Sequence, residues 1–305
     1  MRTSSGSASS CGVLQDDERV QKALGDDRYD AGMSCAELGA AVKAVTVGAE
    51  PGAHSLRQAQ AMKDVLLAVA DSLDETGGRL DPELRLPLGE MLSGYRADLQ
   101  QIMGLTPVDY VRHGPASKPA WEDDEGGVHV SVSWKPALLP VVRAVSEDPG
   151  AYAVIRDAMT GQAADGLAAM KPDSTGDMLS APPARSSWAL GSLDGVAADV
   201  VGDLERERGQ EWQTAVLDAL TPTGGGGKGA AVPVFSRDAE GYLVARWRRH
   251  LAAEGTKSLE AQGASMFGDW CDAVGVTGAG RDTVADRAGR GQRTAGREVL
   301  ADLGD

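Results

Sequence analysis

Met62-Lys-Asp-Val-Leu66-Leu-Ala-Val69-Ala-Asp-Ser-Leu73, closed by Gly77-Gly78 and followed by Asp81-Pro82-Glu-Leu84, decides the fold class of this chain. Met62, Leu66, Val69 and Leu73 step by four, three and four, which lines them along one face of an α-helix; a strand would need alternation at every second position. Two glycines stop that helix, and Asp81 with Pro82 reads as an N-cap with proline in the first turn. A second stripe, Leu84, Leu88, Met91, Tyr95, Leu99 and Ile102, runs to Gly104. The short connection predicts an antiparallel αα-hairpin over about 55 to 103.

The same periodicity extends outward. A helix over about 34 to 46 opens with Ser34 and Glu37 in capping-box spacing. Downstream, Asp148-Pro149 repeats the cap-plus-proline device, and Tyr152, Ile155, Met159, Ala163, Leu167 and Met170 hold one register until Pro182-Pro183 breaks the pattern. Leu193, Val196, Val200 and Leu204 form the next stripe, and Trp212, Val216 and Leu220 a shorter one. Leu243, Trp247 and Leu251 begin another helix, and Leu259, Gly263, Met266, Trp270 and Val274 the one after it. The tail from Arg281 is helical in composition but interrupted by glycine. Only Val128, Val130, Val132 and Trp134 alternate with polar residues, and with no partner strand in view they predict an extended segment laid on helices.

Composition agrees. Two Phe, five Tyr and only two Ile (Ile102 and Ile155) leave Leu, Val, Ala, Met and six Trp to pack the core, a set that favours helix over sheet. The 39 glycines are many for a helical protein; those inside helices each cost about 1 kcal/mol in propensity. The expected fold is all-α: a multi-helix layered bundle with a short extended segment near 128–134 and a small C-terminal helical unit. Residues 1–12 read as a disordered N-terminus, 13–222 as the main helical domain, 223–233 as a glycine-rich linker and 234–305 as the C-terminal unit.

A formal charge of −15 argues against nucleic-acid binding, which depends on Lys and Arg neutralising phosphates, and against adhesion to anionic membrane. No apolar run reaches the length of a spanning helix, and Met1 to Ser10 lacks the apolar stretch of a secretory signal peptide. Cys11, Cys35 and Cys271 are odd in number and far apart, which fits reduced thiols and a cytoplasmic protein, with signal-independent export the alternative.

Chemical motifs are absent where they would be expected. Gly224 to Lys228 resembles a phosphate loop, but Gly229 stands where the magnesium-binding hydroxyl belongs. Glu122, Asp123, Asp124 and Glu125 are consecutive, whereas calcium loops space their acids at alternate positions. His54, His113, His129 and His250 share no helix and no ligand spacing, and no Gly-x-Ser-x-Gly nucleophile motif occurs. No catalytic, cofactor-binding or metal-ligating residue is therefore assigned. A rival enzyme reading would need a cleft gathering His129 or His113 with two carboxylates.

Two basic clusters stand out. Arg246, Arg248, Arg249 and His250 surround Trp247, and Arg290, Arg293 and Arg297 share a face in the tail. Both have an ordinary explanation, pairing with acids such as Asp282, Asp286 and Glu298. The functional alternative is docking on an acidic protein partner or on a second copy of the chain. Trp188 and Trp212 read as core. Candidate partner-binding residues are thus Trp247, Arg290, Arg293, Arg297 and Trp121, the last for its place in the acidic loop.

Three segments resemble parts of a helical actinobacterial family associated with WXG100-type (type VII) secretion proteins. They are Gly77-Gly-Arg-Leu-Asp-Pro-Glu-Leu-Arg-Leu-Pro-Leu-Gly-Glu-Met-Leu, Val145-Ser-Glu-Asp-Pro-Gly-Ala-Tyr152, and Ser186-Ser-Trp-Ala-Leu-Gly-Ser-Leu-Asp. The resemblance spans about 55 to 220 and carries no catalytic residue. The chain departs from that system's hallmarks, because no Trp is followed by x-Gly and no Tyr-x-x-x-Asp/Glu occurs. The reading that results is a non-enzymatic interaction or scaffold protein, which the resemblance would place in a secretion or toxin system, with a hydrolase or toxin enzyme and a small-molecule sensor as alternatives.

Overall fold

A computed structural model describes residues 9–47, 53–221 and 239–304. The protein is all-α, and its strands among the described residues form one two-stranded ribbon. No described helix is long and apolar enough to cross a membrane. The described residues divide into two compact units, one drawn from Met1–Asp98 and Thr106–Ala151, the other from Leu99–Leu105 and Tyr152–Asp305. The division differs from the expected one at the glycine linker 223–233, which itself lies outside the described residues.

The first unit begins with α1 (Ser10–Asp16), α2 (Glu18–Leu24), α3 (Cys35–Thr46), α4 (Leu56–Thr76) and α5 (Pro82–Gly94). The Ser34–Glu37 capping box forms as the spacing predicts, and Gly77 ends α4 at φ +66°. The predicted αα-hairpin changes in two ways. Its second helix breaks at Tyr95 into α5 and α6 (Arg96–Met103), and α5 packs chiefly against α3 rather than α4. Gly39 makes that approach possible, since a Cβ there would stand 2.9 Å from the Pro87 ring. Asp81 occupies the N-cap position of α5, but its carboxylate serves α1, accepting from Ser9 Oγ at 2.7 Å, Ser10 Oγ at 2.9 Å and the Cys11 N–H at 2.9 Å.

The N-terminal expectation needs correcting. Ser10 to Gly12 lie within α1, and Cys11 and Cys35 form a disulfide across 24 residues with Cα atoms 5.6 Å apart. Sequence separation concealed the pair, because α2 and the turn after it fold back to bring α3 beside α1. Closing a loop of that length restricts the unfolded chain by about 3 kcal/mol. A Cys11→Ser/Cys35→Ser variant should unfold at lower denaturant by that amount, and reductant should shift wild type but not the variant. Cys271 is a buried free thiol pushed up to about 11 by burial, the packed cysteine expected.

The unit continues with α7 (Val108–His113), β1 (Trp121–Glu122), β2 (Val128–His129), a π-helical turn (Trp134–Leu138) and α8 (Leu139–Val145). The extended segment does have a partner: β2 pairs antiparallel with β1, Trp121 opposite His129 and Glu122 opposite Val128. The acidic loop makes the turn. Asp123 accepts from the N–H groups of Glu125 at 3.0 Å and Gly127 at 2.7 Å, and Gly126 takes φ +83°.

The second unit is built from most of α9 (Pro149–Ala168), then α10 (Gly176–Asp203), α11 (Arg206–Leu220), α12 (Ala239–Glu254), a 3-10 turn (Gly255–Ala261), α13 (Gln262–Val274) and α14 (Ala279–Gly304). Asp148 caps α9 through the Ala151 N–H at 2.8 Å. Pro182 and Pro183 lie inside α10 instead of breaking the chain's helical run. The carbonyls they leave unpaired belong to an exposed first turn, where Met178 is 69% exposed and water can satisfy them. The glycine-rich tail is likewise one unbroken helix, α14.

Candidate functional site

The second unit owes its main contact, α10 against α14, to glycines. A Cβ on Gly191 would stand 2.1 Å from the Gln292 carbonyl oxygen, and one on Gly195 2.5 Å from that of Gly296. Gly191 and Gly195, four apart on α10, face the backbone of Gln292 and Gly296, four apart on α14, and let the two helices meet. Gly263 at the start of α13 stands equally close to Ser187. Helix glycines that lower propensity are thus the residues that permit the packing.

A polar network runs beneath this contact. Arg156 is fully buried; it donates to Asp194 Oδ1 at 2.5 Å, Gln262 Oε1 at 2.9 Å, and the carbonyls of Leu259 at 3.1 Å and Leu190 at 3.2 Å. Gln292 donates to the other Asp194 oxygen at 2.7 Å and to the Leu259 carbonyl at 2.6 Å, and accepts from the Gly263 N–H at 2.9 Å. Every oxygen of Asp194 is therefore matched from within the unit.

Above the network lies a groove of two adjoining cavities, about 360 and 420 Å³, which share Asp194, Ala198 and Glu260. Arg293, Arg297 and Leu300 line the first; Tyr152, Trp212, Val216 and Lys257 line the second. Arg293, Arg297 and Lys257 are exposed, and no carboxylate among the described residues lies within ion-pairing distance of them. Elsewhere in the unit Arg246, Arg248, Arg281 and Arg290 are paired with Asp269, Asp157, Asp272 and Asp286.

The first unit holds a separate cluster. His129 Nδ1 stands 3.1 Å from Asp98 Oδ1 and its Nε2 2.9 Å from Asp123 Oδ2, while the Tyr110 hydroxyl donates to Asp98 at 2.6 Å. Hydrogen bonding to Asp98, opposed by burial and aided by Asp123, pushes the imidazole up to about 9. Asp123 in turn sits below its ordinary value, chiefly through His129. Nearby, buried Lys63 closes the end of α7 by donating to the carbonyls of His113 at 2.6 Å and Pro115 at 3.0 Å, and burial lowers it to about 8.

No protein-family model matches the chain, and no curated protein or solved structure does.

The candidate residues therefore stand on geometry alone, and the structure separates them. Arg293 and Arg297 line the groove. Arg290, on the same helix, is exposed but spent on Asp286 one turn earlier. Trp247 is 2% exposed and belongs to the core, so the basic cluster around it has no aromatic anchor to present. Trp121 is half-buried, stacked on His113 at 4.3 Å and edge-on to Tyr110 at 5.1 Å, which commits its ring to α7 instead of a free surface. Trp212 is core as expected, and also floors the groove. Asp194, Ala198, Lys257 and Glu260 gave no sequence signal; the four-residue spacing of Gly191 and Gly195 on α10 is the pattern that would have located the α14 contact beside them.

Chemically the two places differ. The His129 cluster meets the residue requirement of an enzyme site, one histidine with two carboxylates. Yet an imidazolium donating through both nitrogens has no lone pair to accept a proton near neutrality, so it fastens the hairpin to α6 and α7. Among the described residues no group of three or more His, Cys, Asp or Glu could hold a metal ion. Because the folded imidazole titrates near 9 and the free one near 6.5, its stabilisation is complete below about 6.5 and is lost as pH rises through 9. His129→Gln should cost about 2 kcal/mol near pH 6. Denaturation midpoints should show the gap from wild type shrinking across pH 7–9; a constant gap would refute the ionic clasp.

Proposed function

We propose that this chain is a non-enzymatic interaction protein whose second unit receives a segment of a partner protein. The observation that carries the reading is the groove itself, flanked by Arg293, Arg297 and Lys257, none of which has a carboxylate within ion-pairing distance among the described residues. Unspent charge around an open concavity marks a place where an outside group completes the electrostatics. The test is capture of host proteins by the full chain. Arg293→Glu/Arg297→Glu should lose a stoichiometric partner at least tenfold while helical circular dichroism stays unchanged. Arg290→Glu, outside the groove, should retain it. Equal capture by both variants would place the interface elsewhere.

A role beside a secretion or toxin system rests on the resemblance of the three segments named above. The Cys11–Cys35 disulfide supports an oxidising setting over the reduced cytoplasm expected from the cysteine count. Comparing thiol alkylation of the native protein before and after reduction decides between them. A second reading, a small-molecule sensor, draws on the roughly 360 Å³ first cavity, which matches the lower range of ligand pockets.

A further inference from the structure

We infer that the groove of the second unit takes an acidic amphipathic helix, with two carboxylates one turn apart and an apolar side chain beside them. The inference rests on the interaction reading and adds the chemical class of the partner. Arg293 and Arg297 are four residues apart on α14, so their origins are separated by about 6 Å along the helix axis. Carboxylates at i and i+4 of a second helix repeat that spacing, and one lying along α14 meets both guanidiniums at once. Lys257 approaches from the 3-10 turn and adds a third positive charge at the second cavity.

Two acids also line the groove, and they weigh unequally. Asp194 is neutralised by buried Arg156 and hydrogen-bonded by Gln292, which leaves Glu260 alone against three cations. The groove is therefore net positive inside a protein whose formal charge is −15. That overall charge disfavours a nucleic acid, whose extended polyanionic backbone would meet net repulsion beyond the groove, and favours a short acidic segment. The second cavity adds an apolar floor, Tyr152, Trp212 and Val216, suited to a Leu or Met side chain. Ala198, exposed on α10 and shared by both cavities, is where a partner helix would cross from one to the other.

The probe is a fluorescein-labelled helical peptide with Glu at two positions four apart and Leu on the adjoining face, titrated against the full chain by anisotropy. A matched peptide carries Lys in place of each Glu. Wild type should bind the Glu peptide at least tenfold more tightly than the Lys peptide. Arg293→Glu/Arg297→Glu should reverse that preference, and Ala198→Trp, which fills the groove without altering charge, should weaken the Glu peptide tenfold or more. Arg290→Glu should change binding less than twofold. All four substituted side chains are exposed, and the preference reversal is a gain that misfolding cannot imitate. Equal affinity for the two peptides, or Glu-peptide binding indifferent to Ala198→Trp, would overturn the inference. If wild type ignores the Glu peptide while Arg293→Glu/Arg297→Glu still abolishes partner capture, the partner class is wrong and the interaction reading stands; if capture also persists, both fall.

Discussion

Arg156→Met is expected to lower the stability of the second unit by about 4 kcal/mol, and adding Asp194→Leu to restore most of the loss. The single change removes the guanidinium that donates to Asp194, Gln262 and the carbonyls of Leu190 and Leu259, at a residue with no exposed surface. Asp194 then keeps one donor, Gln292, and its charge is left against the buried network. An uncompensated charge in such a place costs more than the pair contributes, which is why removing both partners is the milder lesion. Guanidinium unfolding, followed by far-ultraviolet circular dichroism and tryptophan fluorescence, checks both variants. A loss under about 1 kcal/mol for the single variant would mean that water or rearranged side chains replace the arginine. Because Asp194 lies between the two cavities, the double variant should also change their shape, a reason to use it for stability alone.

Gly191→Ala should destabilise the same unit by about 3 kcal/mol or more, against the sign that helix propensity predicts. In an exposed helix the change would be stabilising by about 1 kcal/mol. Here the new methyl would lie 2.1 Å from the Gln292 carbonyl oxygen, a backbone atom that cannot swing aside. Relief requires α14 to retreat from α10, which stretches the Gln292 bonds to Asp194 and to the Leu259 carbonyl. Gly202→Ala is the control, since a Cβ there meets nothing within 4 Å. Equal denaturation midpoints for the two variants would show that the close approach is not required for stability.

Much of the helical scaffold was legible because its signals are local. The 62–73 stripe, the Ser34–Glu37 box, the Gly77 stop and the Asp148 cap each depend on residues within four positions, and each forms as predicted. Prolines 182 and 183 misled because their effect depends on exposure, and the first turn of α10 is open to water. The αα-hairpin misled because a short connection limits distance but not choice of neighbour. Gly39 offered α5 a closer fit on α3 than α4 could give. At the groove, Arg293 and Arg297 were legible as one helical face, whereas Arg290, Trp247 and Trp121 were indistinguishable from them until their partners came into view.

By itself the sequence determined the helical class, most helix boundaries and the apolar faces, since hydrophobic spacing and capping act over one or two turns of chain. Only the tertiary structure decided what those faces meet. The disulfide joins residues 24 apart, His129 meets Asp98 across 31, and Gln292 meets Asp194 across 98. Such contacts depend on how whole helices approach one another, and that is set by which side chains are small enough at each crossing. The same physics decided which arginines are paired within the fold and which stay exposed.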